Sequence, residues 1–278
     1  MSEAFSYSNL PSTFGIEVDF DLSRPLDPDQ QEQFRQLFYK HHLLVFRGQK
    51  LEPEEHARIG AYLGPIIRNP AESMGYISNV RPDGGLGSVE LAFHSDLAFS
   101  PSPFDAISLY AVDVIDNATS TRFANGVRVY PLLSEELRQR LESLKVLHVF
   151  GVDLRGRNRR NTVGTDLPHA IHPLIMRHPV SGAPIVYVHT NQTDSIVDMD
   201  PDESERIIQE LFGHLYQPTN IYEHRWHMND LVIWDNLALQ HARGDVSNVG
   251  PRTLHRVVNA KKGFFDMYPQ FNNVKFGS

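Results

Sequence analysis

Residues of a few types, at defined spacings, could act together chemically in this chain. His94 and Asp96 lie within AFHSDLAF, His241 ends WDNLALQH, and Arg252 and Arg256 follow eleven and fifteen residues after His241. Two histidines and one carboxylate are the set that holds non-haem Fe(II) on one face and leaves the other face open. His94 and Asp96 are separated by one residue, so on a strand both side chains share a face and can converge on one metal. Such an iron needs two further electrons to activate O2, and a 2-oxo acid supplies them by oxidative decarboxylation. The 2-oxo acid chelates through its C1 carboxylate and keto oxygen, and its distal carboxylate then needs an anchor, ideally a guanidinium. Arg252 is a candidate for that anchor. Arg256, at i+4 on the same strand face, can look into the same cavity. An isolated H-x-D triplet is usually chance and an isolated arginine is usually a surface ion pair. The combination carries the reading.

The rest of the chain must bring 94, 96 and 241 together. Residues 16–20 alternate apolar and acidic, as a half-buried strand does. Pro28 opens a helix with Asp27 as its cap and Phe34, Leu37 and Phe38 on its apolar face. The run 43–46 reads as a buried strand, and a second helix spans about 52–63 with Pro53 in its first turn. Residues 69–87 are rich in Pro, Gly, Asn and Ser, enclose a short strand at 76–80 and run directly into His94. They predict a substrate-covering segment. Further strands are predicted at 106–114, 121–123, 146–152, 222–226, 231–234 and 252–259. The stretch 172–191 predicts a hairpin. Helices are predicted at 132–144 and 201–216, the latter capped by Asp200, and 155–169 reads as an exposed basic loop. Short strands in the centre with flanking helices give a mainly β fold, a sandwich or jelly roll, in a single domain over 1–278 with its core at about 14–260.

Composition narrows the partners. The chain has 278 residues, 41% hydrophobic and 22% charged, which suits a soluble globular protein with a core. Its formal net charge of −8 sets aside sequence-independent nucleic-acid binding. No apolar run reaches the length of a bilayer span, and MSEAFSYSNL has no secretory signal. The absence of cysteine removes disulfides and thiolate metal sites and fits a reducing cytoplasm. Of the 14 histidines, His41, His42, His56, His214 and His227 sit in polar or helical contexts that need no metal.

The pattern H-x-D, then H, ten residues, R, three residues, R, with WDN before it, resembles the taurine dioxygenase / 2,4-dichlorophenoxyacetate dioxygenase family of Fe(II)/2-oxoglutarate-dependent oxygenases. HHLLVFRGQ, EPEEHARIGAYLG, SPSPFDAISLYAVDV, HPLIMRHPVSGAPIVYV and RWHMNDLVIWDNLALQHA extend the resemblance over nearly the whole chain. It implies a double-stranded β-helix, the jelly-roll variant that holds iron between two sheets, with Fe(II), 2-oxoglutarate and O2 as cofactor and co-substrates. It implies His94, Asp96 and His241 as iron ligands, Arg252 on the 2-oxoglutarate C5 carboxylate and Thr121 in contact with 2-oxoglutarate. Arg256 matches an arginine that in taurine dioxygenase meets the substrate's anion, and here it is left to substrate or to co-substrate. The chain departs from the pattern in two places. Ala118-Thr119-Ser120-Thr121 stands where the family commonly has Gly-Gly-Asp-Thr, and Asn69-Pro70 stands where taurine dioxygenase has a substrate-binding histidine before proline. The first weakens Thr121 and the second argues against taurine. Asp96 argues against halogenase chemistry.

The expected reaction converts 2-oxoglutarate and O2 to succinate and CO2 while an unactivated C–H bond of a small anionic molecule is oxidised, by default to an alcohol. Asn69, Met74, Tyr76, Leu86, Leu91, Phe104 and Arg256 are expected around the substrate. Desaturation, cyclisation or epimerisation of a natural-product intermediate is the alternative within the fold, and a non-catalytic jelly-roll binding protein the alternative outside it. The family often forms dimers or tetramers, and the sequence leaves the oligomeric state of this chain open, a homo-oligomer being the expectation by analogy.

Overall fold

Apolar runs without alternation belong in strands covered on both faces, and the computed structural model, which describes residues 4–69, 75–164 and 166–271, puts them at the centre of its larger sheet. That sheet has eight strands in the order β1 (Ser6–Asn9), β2 (Ile16–Asp19), β3 (Leu43–Phe46), β15 (Leu231–Asp235), β7 (Ala106–Val114), β17 (Arg252–Asn259), β4 (Tyr76–Ser78) and β5 (Gly85–Leu86). Facing it is a four-stranded sheet ordered β14 (Ile221–Arg225), β8 (Ser120–Asn125), β16 (Leu239–Arg243) and β6 (Leu91–His94). A small sheet of β10 (His169–Pro173), β9 (Lys145–Val149) and β13 (Thr193–Ile196) and the hairpin β11 (Ile175–Arg177)–β12 (Pro184–Val186) complete the β structure.

The period of two sorts the large sheet's side chains. Leu43, Val45, Ile107, Leu109, Val232 and Trp234 point into the core shared with Phe123 and Leu239 of the facing sheet. Leu44, Phe46, Tyr110, Leu231 and Ile233 point outward, under helices α1 (Pro28–His41) and α2 (Pro53–Ala61). Helix α1 starts on a reciprocal cap, Asp27 accepting from the Gln30 N–H and the Gln30 side chain from the Asp27 N–H, and lays Phe34, Leu37 and Phe38 on that outer face. A third core unites the hairpin with α3 (Glu135–Leu141) and α4 (Pro201–Leu215).

The helix predicted at 132–144 is shorter. Tyr130–Leu132 forms a 3-10 turn, and the Ser134 hydroxyl accepts the Leu137 N–H and starts the α-helix at Glu135. Leu133, Leu137, Leu141 and Leu144 still share one core. Nor are the described residues of 155–169, read from basic composition as an exposed loop, exposed throughout. Asn158 is buried and ties Val152, Asp153 and Asn191, while Arg157 grips the Glu205 carboxylate with Nη1 at 2.8 and 2.9 Å. Charge in the sequence said nothing of these partners. The histidines at 42 and 56 are buried, His42 against Asp235 and His56 between Ser108 and His255. No helix among the described residues is long and apolar enough to cross a membrane.

Candidate metal centre and anion pocket

Register brings the two histidines together. In the small facing sheet His241 stands directly opposite His94 on one side and Phe123 on the other, so all three side chains share the face turned toward the large sheet. Trp234 closes the arrangement from the large sheet, its ring 4.9 Å from His241 and 5.3 Å from Phe123. Asp96 arrives by another route than the one its spacing suggests. β6 ends at His94, and Asp96 lies on a tight turn in which Leu97 holds a left-handed φ of 58°. A branched apolar side chain there is strained, and the surroundings must hold it.

Those surroundings are the WDN segment. The Asn236 amide accepts the Asp96 N–H at 2.9 Å and donates to the carbonyls of Asp96 at 3.0 Å and Phe104 at 2.9 Å. Ser95 donates to the Leu239 carbonyl at 3.3 Å and meets His189 Nε2 at 3.1 Å, which ties the turn to β16. Asp235 caps the next turn by accepting from Leu237 and Ala238, and its other oxygen meets His42 at 3.3 Å and His178 at 2.8 Å. Asn236→Ala removes three buried hydrogen bonds, an expected cost of about 2–4 kcal/mol, and frees the Asp96 turn. The check is a thermal melt beside Fe(II) titration, with metal affinity falling more than stability alone accounts for. Burial raises the Asp235 pKa, but His178 and His42 together hold it well below the ordinary carboxylate range. A depressed carboxylate adds stability that is present above its unfolded pKa of about 4 and is lost as pH falls below it. Asp235→Asn is therefore expected to be less stable at neutral pH and to lose less on acidification, read from melts over that range.

His94, Asp96 and His241 present ligand atoms within 4.8 Å of one another, the one such group of three or more among the described residues. Asp96 Oδ1 lies 3.2 Å from His94 Nε2 and 3.7 Å from His241 Nε2. His94 Nδ1 donates to the Ala92 carbonyl at 2.8 Å, which leaves its Nε2 as the lone-pair atom. Burial first, then the neighbouring His94, lowers the His241 pKa to about 3, so the ring stays neutral. Burial pushes the Asp96 carboxyl up, yet Arg256, His94 and His241 hold it far below its usual range. Two imidazoles and one carboxylate, with ligand atoms converging, suit a hard-to-intermediate divalent ion such as Fe(II).

The arginines come from the opposite sheet. On β17, Arg252, Leu254, Arg256 and Val258 alternate onto its inner face, and a bulge at Val112 of β7 shifts the register between the two strands. Arg256 donates to Asp96 Oδ2, which leaves Oδ1 to face the histidines, and its guanidinium sits 5.9 Å from the Phe104 ring centre. Arg252 is 2% exposed, and its Nε and Nη1 have no hydrogen-bond partner among the described residues. Burial, with the Arg243 charge next, lowers its pKa to about 9. A guanidinium in that condition favours an anion strongly.

Thr121 lies on the same face as Phe123, buried, its hydroxyl accepting the Trp226 indole N–H at 3.0 Å and keeping its own proton to donate. Leu91 is buried opposite Arg243, and Phe104 beneath Arg256. Asn69 is exposed, and Met74 lies outside the described residues. Tyr76 does not join the site. It pairs with His255 and so takes the outer face of β4, where it lines a cleft of about 340 Å³ with Glu52 and Tyr110. A strand read without its partner has no register, and one step of register reverses every side chain. Asn236, Asp235, Ser95 and Arg243 were not singled out by sequence; WDN and the R two places after His241 were the visible signals.

Comparison with known proteins bears on this arrangement. The chain is 31% identical over 244 residues to pentalenolactone F synthase of Streptomyces arenae, covering 78% of this chain and 82% of that one. It is 30% identical over 263 residues to (S)-phenoxypropionate/alpha-ketoglutarate-dioxygenase of Sphingobium herbicidovorans, covering 87% and 90%. A taurine dioxygenase from Burkholderia xenovorans has the same fold, with a TM-score of 0.78 at 24% identity over 92% of this chain and 90% of that one. The jelly-roll expectation therefore holds. Residues 6–258 match the family model described as taurine catabolism dioxygenase TauD, TfdA family, and with a match that spans both sheets and every residue discussed above, the chain belongs to that family.

Proposed function

We propose that His94 Nε2, Asp96 Oδ1 and His241 Nε2 hold Fe(II) in this chain, and that Arg252, helped by the Thr121 hydroxyl, binds the distal carboxylate of 2-oxoglutarate. The chain is an alpha-ketoglutarate-dependent dioxygenase acting on a small organic molecule. The iron, when bound, supplies the redox chemistry by which 2-oxoglutarate and O2 give succinate and CO2 while a substrate C–H bond is oxidised. The chain's own residues do the rest. His94 and Asp96 are fixed by backbone and amide hydrogen bonds, so the ligand face needs little reorganisation. Phe123, Trp234 and Leu239 keep water from the inner side. Arg256 holds Asp96 in a one-oxygen posture.

The observation that carries this reading is the convergence of three ligand atoms, together with a buried guanidinium, Arg252, on the inner face of the opposite sheet, whose Nε and Nη1 have no partner among the described residues. The substrate is a small organic anion, its charge met on the Arg256 side and its apolar part against Phe104 and Leu91. The relative that acts on (S)-phenoxypropionate, itself a carboxylate, supports an anionic substrate. Pentalenolactone F synthase favours the second reading, in which the same apparatus transforms a natural-product intermediate. Succinate release with Fe(II) and 2-oxoglutarate, screened over aryloxy acids, small sulfonates, alkyl sulfates and amino-acid-like anions against uncharged compounds of similar size, tests the anionic assignment, and product analysis separates simple hydroxylation from the second reading. Turnover confined to neutral compounds would remove the anionic assignment.

A further inference from the structure

The function proposed above gives Arg243 no task, yet this residue is 3% exposed on β16 and shares His241's face, two positions on. Its Nη2 donates to the carbonyls of Leu86 at 3.1 Å, Gly87 at 3.3 Å, and Val89. Its Nε and Nη1 are buried without a hydrogen-bond partner among the described residues, and so are the same two atoms of Arg252. The two guanidiniums are near enough for the charge of Arg243 to act on Arg252. The one carboxylate that acts on Arg243, Asp245, is solvent-exposed and engaged with Ser247. Two buried like charges with unpaired donors are an arrangement an anion relieves. The segment that Arg243 holds carries one strained residue, Leu86 at a φ of 63°, followed by Gly87 at 39°, which glycine tolerates.

We propose that Arg243 and Arg252 together receive the distal carboxylate of 2-oxoglutarate, one from each sheet, and that Arg243 thereby couples co-substrate binding to the 85–89 segment. This rests on the function proposed above. Without the anion the two guanidiniums repel each other across the pocket. With it both are drawn inward, and the three carbonyls on Arg243 are fixed with them. Because 85–89 leads directly into β6, the same event steadies the strand that ends at His94. Arg243 is thus assigned a second duty, as a co-substrate-binding residue that also positions the rim of the site.

The test uses the full chain anaerobically with Mn(II) as the metal. Binding of 2-oxoglutarate is compared with binding of 2-oxopentanoate, which chelates a metal alike but lacks the distal carboxylate. Wild type, Arg243→Gln and the charge-keeping Arg243→Lys are titrated by calorimetry, and hydrogen exchange is followed in the peptide over 85–91. Arg243→Gln is expected to bind 2-oxoglutarate about 10- to 100-fold more weakly and 2-oxopentanoate almost unchanged, with Arg243→Lys between. In the wild type, 2-oxoglutarate but not 2-oxopentanoate slows exchange at 85–91, and the difference vanishes in Arg243→Gln. A folded Arg243→Gln that binds 2-oxoglutarate like the wild type overturns the proposal. So does equal weakening of both 2-oxo acids in the two variants, since that reports general damage. Wild-type protein that binds neither 2-oxo acid overturns the underlying functional reading, and this proposal falls with it.

Discussion

Asp96→Ala is expected to remove turnover altogether, with succinate formation down at least about 1,000-fold, and to destabilise the protein at the same time. The two effects have one cause. Asp96 Oδ1 completes the ligand set with both Nε2 atoms, and Oδ2 accepts from Arg256, which is 6% exposed. Removing the carboxylate takes away the anionic ligand and leaves a buried guanidinium beside two imidazoles. Breaking a buried ion pair from one side costs about 3–5 kcal/mol, most of it for the charge left behind. Asp96→Asn keeps the shape and an oxygen for Arg256 but not the charge, so its metal affinity drops while its melting temperature falls less. Fe(II) titration, succinate release and thermal melts on both variants make the check. Normal turnover by either would end the assignment of Asp96 as a ligand. A large stability loss with metal affinity intact would make it a structural partner of Arg256 alone.

Much of this centre could be read from one dimension because its parts carry local patterns. The apolar runs at 43–46 and 231–234 lie in strands buried along their whole length and covered on both sides. The helices announced themselves by Asp27 and Asp200 at their caps. The pairing of residue types at 94, 96, 241, 252 and 256 named a chemistry. What sequence could not supply was register and turn geometry. Tyr76 faces outward because β4 meets β17 at His255, a fact about two strands that neither contains. Asp96 reaches His94 around a left-handed turn at Leu97, and that turn is held by Asn236, from a segment 140 positions away, together with Ser95's bonds to Leu239 and His189. Arg256, left by the sequence to substrate or to co-substrate, also donates to Asp96, because the facing of two sheets decides which donor meets which acceptor.

Arg252→Met is expected to weaken 2-oxoglutarate binding and to leave the ligand-free protein as stable as the wild type or more so. The opposite signs come from one buried charge. The Arg252 guanidinium is 2% exposed, its Nε and Nη1 have no partner among the described residues, and Arg243 acts on it as a like charge. Holding it there costs stability, and a Met of similar length fills the space without that cost. The Arg252 N–H bond to Asn79 at 2.8 Å comes from the backbone and survives the substitution. The carboxylate of 2-oxoglutarate repays the wild type through charge-assisted hydrogen bonds, worth about 1.5–3 kcal/mol each. The KM for 2-oxoglutarate should therefore rise about 10- to 100-fold, with kcat at saturation changing far less, because the anchor is used equally in the ground and transition states. Melts with and without saturating 2-oxoglutarate show the coupling directly. The co-substrate raises the wild-type melting temperature by mass action, and at the same concentration it moves the variant little. If Arg252→Met lowered ligand-free stability and bound 2-oxoglutarate as before, the guanidinium would be a packing element and the anchor for the carboxylate would have to be sought in Arg243 or Arg256.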